Sequence, residues 1–253
     1  LVFPGVNIRG GVCYFLRSQN HSGHTKVFNY NKKGDPITAT RPLLEDGLTS
    51  FVRYNEAISM LTKVRALGEL TYESRVQSSN PYGMRSNFSD YSAKKTLKAN
   101  IILYRSRRGE SLDREVYVEE KYITSNLAFK DKIKVLVSKA SPGGDEYPHL
   151  VLGKPFIGAA NTVSTETYLI VDFPKSISQG KNLISYMETR FFRFLVSLIK
   201  NTQNISKGSF AFVPVQDLSE SWTDEKLYKK YKFTKEEIKF IESMIKPMGL
   251  DND

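Results

Sequence analysis

Asn182 to Lys200 reads NLISYMETRFFRFLVSLIK. Leu183, Ile184, Met187, Phe191, Phe194, Leu195 and Leu198 recur at intervals of three and four, which predicts one amphipathic helix with a wide apolar stripe. Arg190, Arg193 and Lys200 are left for its other faces. Upstream, strands are expected at Asn100 to Tyr104, Glu115 to Tyr122, Ile133 to Ser138 and Thr167 to Val171, separated by turn-forming Ser, Gly, Asn and Pro. Phe51, Tyr54, Ile58, Leu61 and Val64 predict a second helix over Leu48 to Leu67, ended by Gly68. Near the N-terminus, Val6 to Leu16 and Thr25 to Tyr30 read as a hairpin, with Gly10 and Gly11 marking a bulge. Downstream, a strand is expected at Phe210 to Val215, then a linker, Asp217 to Ser221. Two short helices follow within Trp222 to Met248, the second opened by a capping box of Thr234 and Glu237. The expected class is α+β: a curved, mostly antiparallel or mixed sheet with packed helices, a main domain over 1–218 and a small helical appendix over 219–253.

Composition limits the function. The chain has 253 residues, 40% hydrophobic and 25% charged, enough to bury a core. It contains no run of about 18 uncharged apolar residues and no secretory leader pattern, so a cytoplasmic protein away from membranes is expected. The single Cys13 and three histidines, His21, His24 and His149, argue against a closed structural zinc site. Leu1 opens directly into strand-like text, as in a fragment of a longer polypeptide. The net charge is +10, and because residues 219–253 carry −1, the body carries +11. Such an excess suits a polyanion, since phosphate contacts release counterions. Ala93 to Gly109 concentrates Lys94, Lys95, Lys98, Arg105, Arg107 and Arg108 with no acid. A solvated basic face is the alternative reading.

Catalytic signals are poor. Asn80-Pro81-Tyr82 imitates the Asn-Pro-Pro-Tyr loop that holds a flipped base in amino-group DNA methyltransferases, but one proline is missing and no methyl-donor motif precedes it. An Asn-Pro turn is the simpler reading. Asp113, Glu119 and Lys121 loosely match the acid, acid-x-lysine pattern of a Mg²⁺-dependent nuclease, a pattern common by chance in a charged strand. Neither a nucleophile elbow nor a phosphate-binding Gly loop is present. No catalytic residue, metal ligand or cofactor is assigned to this chain.

Two polar loops remain. Ser78 to Phe88 combines Ser79, Asn80, Tyr82, Arg85 and Asn87; arginine can grip guanine O6 and N7, and asparagine adenine N6 and N7. Asn201 to Lys207 adds Gln203 and Lys207 just after the long helix. Arg9, on the first strand, joins this DNA-facing set. For both loops the alternative is ordinary turn and capping bonding.

The strings FPGVNIRGGVCYFL (Phe3 to Leu16), SSNPYGMRSNF (Ser78 to Phe88), VLVSKA (Val135 to Ala140), TETYLIV (Thr165 to Val171), Leu183 to Tyr231 and FIESMIKPM (Phe240 to Met248) resemble the C-terminal target-recognition region of bacterial adenine-specific DNA methyltransferases of restriction-modification systems, including fused methyltransferase-endonucleases. Leu183 to Pro214 also looks like the end of a recognition domain in Type I specificity subunits. The resemblance implies double-stranded DNA as partner, and a catalytic region of the same polypeptide that binds S-adenosylmethionine and carries the Asn-Pro-Pro-Tyr loop. It implies no individual base contacts, because such loops vary with the target. A Mg²⁺-dependent endonuclease domain and a protein-interaction module stand as the other two classes.

Overall fold

The computed structural model describes residues 13–30, 34–105, 115–140, 148–200 and 203–248. The class is α+β. Strands β1 (Thr25–Tyr30) and β2 (Pro36–Arg41) form an antiparallel ribbon. Strands β3 (Ala99–Tyr104), β4 (Tyr117–Glu119) and β7 (Thr162–Ser164) make a sheet in the order β4-β3-β7, with β3 antiparallel to β4 and parallel to β7. Strands β5 (Lys134–Ser138), β6 (Phe156–Gly158) and β8 (Tyr168–Asp172) make an antiparallel sheet in the order β6-β5-β8. The helices are α1 (Ala57–Arg65), α2 (Ile177–Glu188), α3 (Arg190–Ser197), α4 (Asp224–Lys230) and α5 (Lys235–Met244). The strands are thus divided among three small sheets rather than joined in one.

The β6-β5-β8 sheet is a partition between two cores. Because side chains alternate along a strand, Val135 and Val137 of β5 and Leu169 and Val171 of β8 face the helices, while Leu136, Tyr168 and Ile170 face β3, β4 and β7. Both faces are covered, which explains why KVLVS and YLIVD read as almost unbroken apolar runs. The helical core gathers Phe191, Phe192, Phe194 and Leu195 of α3 with Tyr186 of α2 and Met60 and Leu61 of α1. Leu227, Tyr231, Ile241 and Ile245 of the C-terminal segment lie in that same core. The ring of Tyr231 stacks on Phe191 at 4.9 Å.

Several expected elements differ, each for a tertiary reason. The helix expected over Asn182 to Lys200 starts earlier, with Ser176 capping α2, and breaks at Thr189. Thr189 takes an extended conformation, accepts from the Phe192 amide at 3.1 Å and donates to the Tyr186 carbonyl at 2.7 Å. A threonine is a poor helix interior and a good cap. Arg193, expected on an outer face, is fully buried. The helix expected from Leu48 begins only at Ala57 because the preceding residues bind the ribbon instead. Arg41 donates to the Val52 carbonyl at 2.6 Å, and Asn29 donates to the Arg53 carbonyl at 2.9 Å. Gly68 does end it, in the left-handed region at φ 63°.

Thr25 to Tyr30 pairs with Pro36 to Arg41, a strand that pattern reading missed. Of the strand expected at Val6 to Leu16, residues 6–12 lie outside the described residues, and Cys13 to Leu16 form no strand. Phe210 to Val215 is not a strand: a 3-10 turn covers Lys207 to Phe210, and only an isolated bridge joins Thr71 to Pro214. The Thr234–Glu237 capping box is present. Among the described residues no helix is long and apolar enough to cross a membrane.

Candidate nucleic-acid interface

Ser78 to Phe88 is an exposed turn nailed to the second core at two points. Tyr82 and Met84 are buried among Ile101, Leu103, Val118 and Ile170. Burial drives the Tyr82 phenol far above its ordinary pKa. Tyr82 is therefore withdrawn from any DNA-facing surface and anchors the loop from below. The chain around it is tied to Thr124 to Asn126. Asn126 donates to the Pro81 carbonyl at 2.7 Å, Ser125 to the same oxygen at 3.1 Å, and the Thr124 amide to the Tyr82 carbonyl at 3.1 Å. Asn80 sits left-handed at φ 65° and Gly83 at φ 82°. A Cβ on Gly83 would lie 1.8 Å from Thr124 Oγ1, so only glycine fits there.

Beyond Met84 the loop rests on Glu166. The Glu166 amide donates to the Met84 carbonyl at 2.9 Å, and the Ser86 amide donates to Glu166 Oε1 at 3.0 Å. That amide bond chiefly holds the Glu166 carboxyl below its ordinary pKa, helped by the Ser86 hydroxyl and the charges of Lys139 and Arg85. Arg85 and Asn87 are exposed; the Arg85 carbonyl accepts from the Phe88 amide at 3.0 Å, while its guanidinium makes no hydrogen bond or ion pair among the described residues, with Asp90 or otherwise. A rigid backbone thus presents a cationic fork to solvent.

The second expected loop meets the first. Past β5, Ala140 bridges Asn204, and the Ile205 amide donates to the Lys139 carbonyl at 2.9 Å. On β8, the Ile170 carbonyl accepts from the Gln77 amide at 2.9 Å. One sheet therefore brings both loops to one cleft of about 530 Å³, lined by Ser79, Lys139, Lys200, Asn204 and Ser206 among others. Burial lowers the Lys200 ammonium to about 8, and it donates to the Val151 carbonyl at 2.9 Å. Lys139 and Lys200 were not expected here, since each sits at the end of an apolar run and only the folded sheet aligns them. Part of the second loop is spent on its own turn: Ser206 and Ser209 cap each other. Gln203 and Lys207 are exposed.

The basic stretch divides. Lys94, Lys95 and Lys98 are exposed on the turn that enters β3. Arg105, at the other end of β3, is half-buried with its guanidinium 4.0 Å from the Tyr91 ring centroid. Arg9, Arg107 and Arg108 lie outside the described residues, as does Asp113. The other two residues of the nuclease-like pattern, Glu119 and Lys121, pair with each other at 2.9 Å.

The chain matches no protein-family model and no curated protein sequence. Its local geometry is that of a preorganised polar surface in which loops from distant parts of the sequence share one scaffold. Such a scaffold can position phosphates and base edges without paying to order the loops on binding.

Proposed function

We propose that this chain is the double-stranded-DNA target-recognition portion of a bacterial restriction-modification enzyme that methylates adenine at N6. The observation that carries this reading is the Ser78 to Phe88 loop. Its backbone is locked by Thr124 to Asn126 and Glu166, while Arg85 and Asn87 are turned outward. A planar fork held on a fixed backbone suits bidentate guanine readout. Lys94, Lys95, Lys98 and Lys207 add exposed cations for phosphates, with Ser79 and Gln203 as polar neighbours. In this reading S-adenosylmethionine and the base-flipping loop belong to a catalytic region of the same polypeptide, and the protein acts in the bacterial cytoplasm.

The test is duplex-DNA binding by fluorescence anisotropy across a salt series. Weak binding that falls steeply with salt is expected, because the +11 body supplies phosphate contacts. Affinity that hardly changes between low and moderate salt would refute the electrostatic interface.

A protein-interaction role has one specific observation in its favour. Tyr14, Phe15 and Leu16 are largely exposed, Phe28 and Tyr30 of the ribbon are half-exposed, and Tyr14 hydrogen-bonds to Tyr30. Under the DNA reading this apolar surface is where the catalytic region would seat. The same salt series separates the two, since an apolar interface is far less salt-sensitive.

A further inference from the structure

Leu97 is 99% exposed, and among the described residues no large apolar side chain is more so. Its exposure is built into the turn. The Thr96 amide donates to the Ala99 carbonyl at 2.9 Å, the Ala99 amide returns a bond to Thr96 Oγ1 at 2.9 Å, and Asn100 Nδ2 reaches the Leu97 carbonyl at 3.5 Å. Before it, Ser92 exchanges two backbone bonds of 2.8 Å with Tyr117 and accepts from the Lys94 amide at 3.2 Å. Behind it, Ala99 and Ile101 are buried. The leucine thus stands at the apex of a tied turn, between the exposed Lys94, Lys95 and Lys98. Glu119, opposite Ala99 in the β3–β4 register, is engaged by Lys121.

Three kinds of surface would accept an exposed leucine. A protein interface core is poor in lysine and rarely takes its binding energy from leucine. A membrane surface needs more apolar area than one side chain supplies. A DNA duplex needs only one: apolar wedges inserted from the minor groove unstack a single base step, while nearby cations hold the phosphates. We propose that Leu97 is such a wedge, entering a flexible pyrimidine–purine step with Lys94, Lys95 and Lys98 on the flanking phosphates. This rests on the DNA reading above and deepens it. It assigns the turn before β3 to deforming the duplex, and the Ser78 to Phe88 loop to reading it. Specificity would then include the ease of opening a step that no polar side chain touches.

The test uses duplexes carrying 2-aminopurine in a TpA step, whose fluorescence rises on unstacking, with the chain and its Leu97→Ala variant. Leu97 is outside both cores, so the variant should retain the native thermal transition. The wedge predicts brightening with the unaltered chain, and with Leu97→Ala no brightening, an unchanged salt slope and roughly tenfold weaker binding. Equal brightening by both proteins, or salt-dependent binding with no brightening by either, would overturn the wedge and leave the DNA reading standing. Absence of DNA binding would overturn both. Leu97-dependent binding to phosphatidylserine vesicles with no Leu97 effect on DNA would assign the turn to a membrane surface and likewise overturn the wedge.

Discussion

The Arg193 guanidinium donates from Nη1 to the carbonyl of Lys246 at 2.6 Å, inside the protein. The same side chain reaches the carbonyls of Leu150 at 3.2 Å, Glu188 at 3.0 Å and Thr189 at 3.2 Å. One arginine thus collects carbonyls released where α2 breaks from α3 and joins them to the segment after α5. Burial lowers its pKa to about 10, which leaves it charged at neutral pH. Charge-assisted bonds to several carbonyls offset the desolvation.

Replacing Arg193 by Met should therefore destabilise strongly despite the similar volume. The Glu188 and Lys246 carbonyls would lose their donor in a site closed to water, while those of Leu150 and Thr189 keep the Leu152 and Arg193 amides, at a cost on the order of 3 kcal/mol or more. Urea unfolding should show a lower midpoint with an unchanged slope. A midpoint within error of the parent would mean that water replaces the guanidinium.

Asp224 is the counterpart on the other side of the break. Its carboxylate accepts from the Arg190 amide at 3.0 Å and the Phe191 amide at 2.8 Å, the first turn of α3. Asp224→Ala should cost about 1 to 3 kcal/mol, and Asp224→Asn less, because one acceptor oxygen remains. Equal losses for the two variants would show that packing, and not the cap, is what Asp224 contributes.

His149 makes stability depend on pH. Burial lowers its imidazole to about 4, helped by the charges of Lys200, Arg53 and Arg193. A folded-state value below the unfolded one of about 6.5 means that its contribution is complete above that pH and lost as pH falls toward 4. Comparing thermal melts from pH 7 to 4, His149→Gln should lose less stability on acidification than the parent. After discounting for partial exposure the difference should be about 1 to 2 kcal/mol. Parallel curves would show that the histidine does not drive the acid sensitivity.

Gly83→Ala should strain the Ser78 to Phe88 loop, since the new Cβ meets Thr124 Oγ1 and an alanine disfavours φ 82°. A loss of about 1 to 3 kcal/mol would lower the melting temperature by several degrees. Gly83→Ala combined with Thr124→Gly should recover the steric part and leave the backbone part. No recovery would locate the strain entirely in the backbone.

Arg85 and the lysines should differ in what their loss does to DNA binding. Arg85→Ala should relax selection at one base pair, at about 1 to 3 kcal/mol, while Lys94→Ala, Lys95→Ala or Lys98→Ala should weaken all sequences and flatten the salt slope. Sequencing of duplexes selected from a randomised pool reads both effects. An unchanged preference for Arg85→Ala, together with a lower melting temperature, would make Arg85 a structural residue of the loop.

Local chemistry was enough to establish several features of this protein. The α+β class, the strands near 100–104, 133–138 and 167–171, the Gly68 stop and the Thr234–Glu237 box all rest on signals within a few residues: alternation, helical spacing and caps. The exposed Arg85 turn was legible for the same reason, as Pro81 and Gly83 punctuate it. The tertiary structure alone decided what depends on a distant partner. Thr189 breaks a helix whose apolar stripe runs straight through it, because Asp224 and Arg193 stabilise the new ends. Tyr82 reads as part of a DNA-facing loop and is core, because β3, β4 and β8 close over it. Two loops far apart in the chain line one cleft because β5 and β8 are neighbours. Periodicity records which residues seek burial. It does not record what they are buried against, because hydrophobic attraction has no direction and the partners are set only when the sheets and helices close on one another.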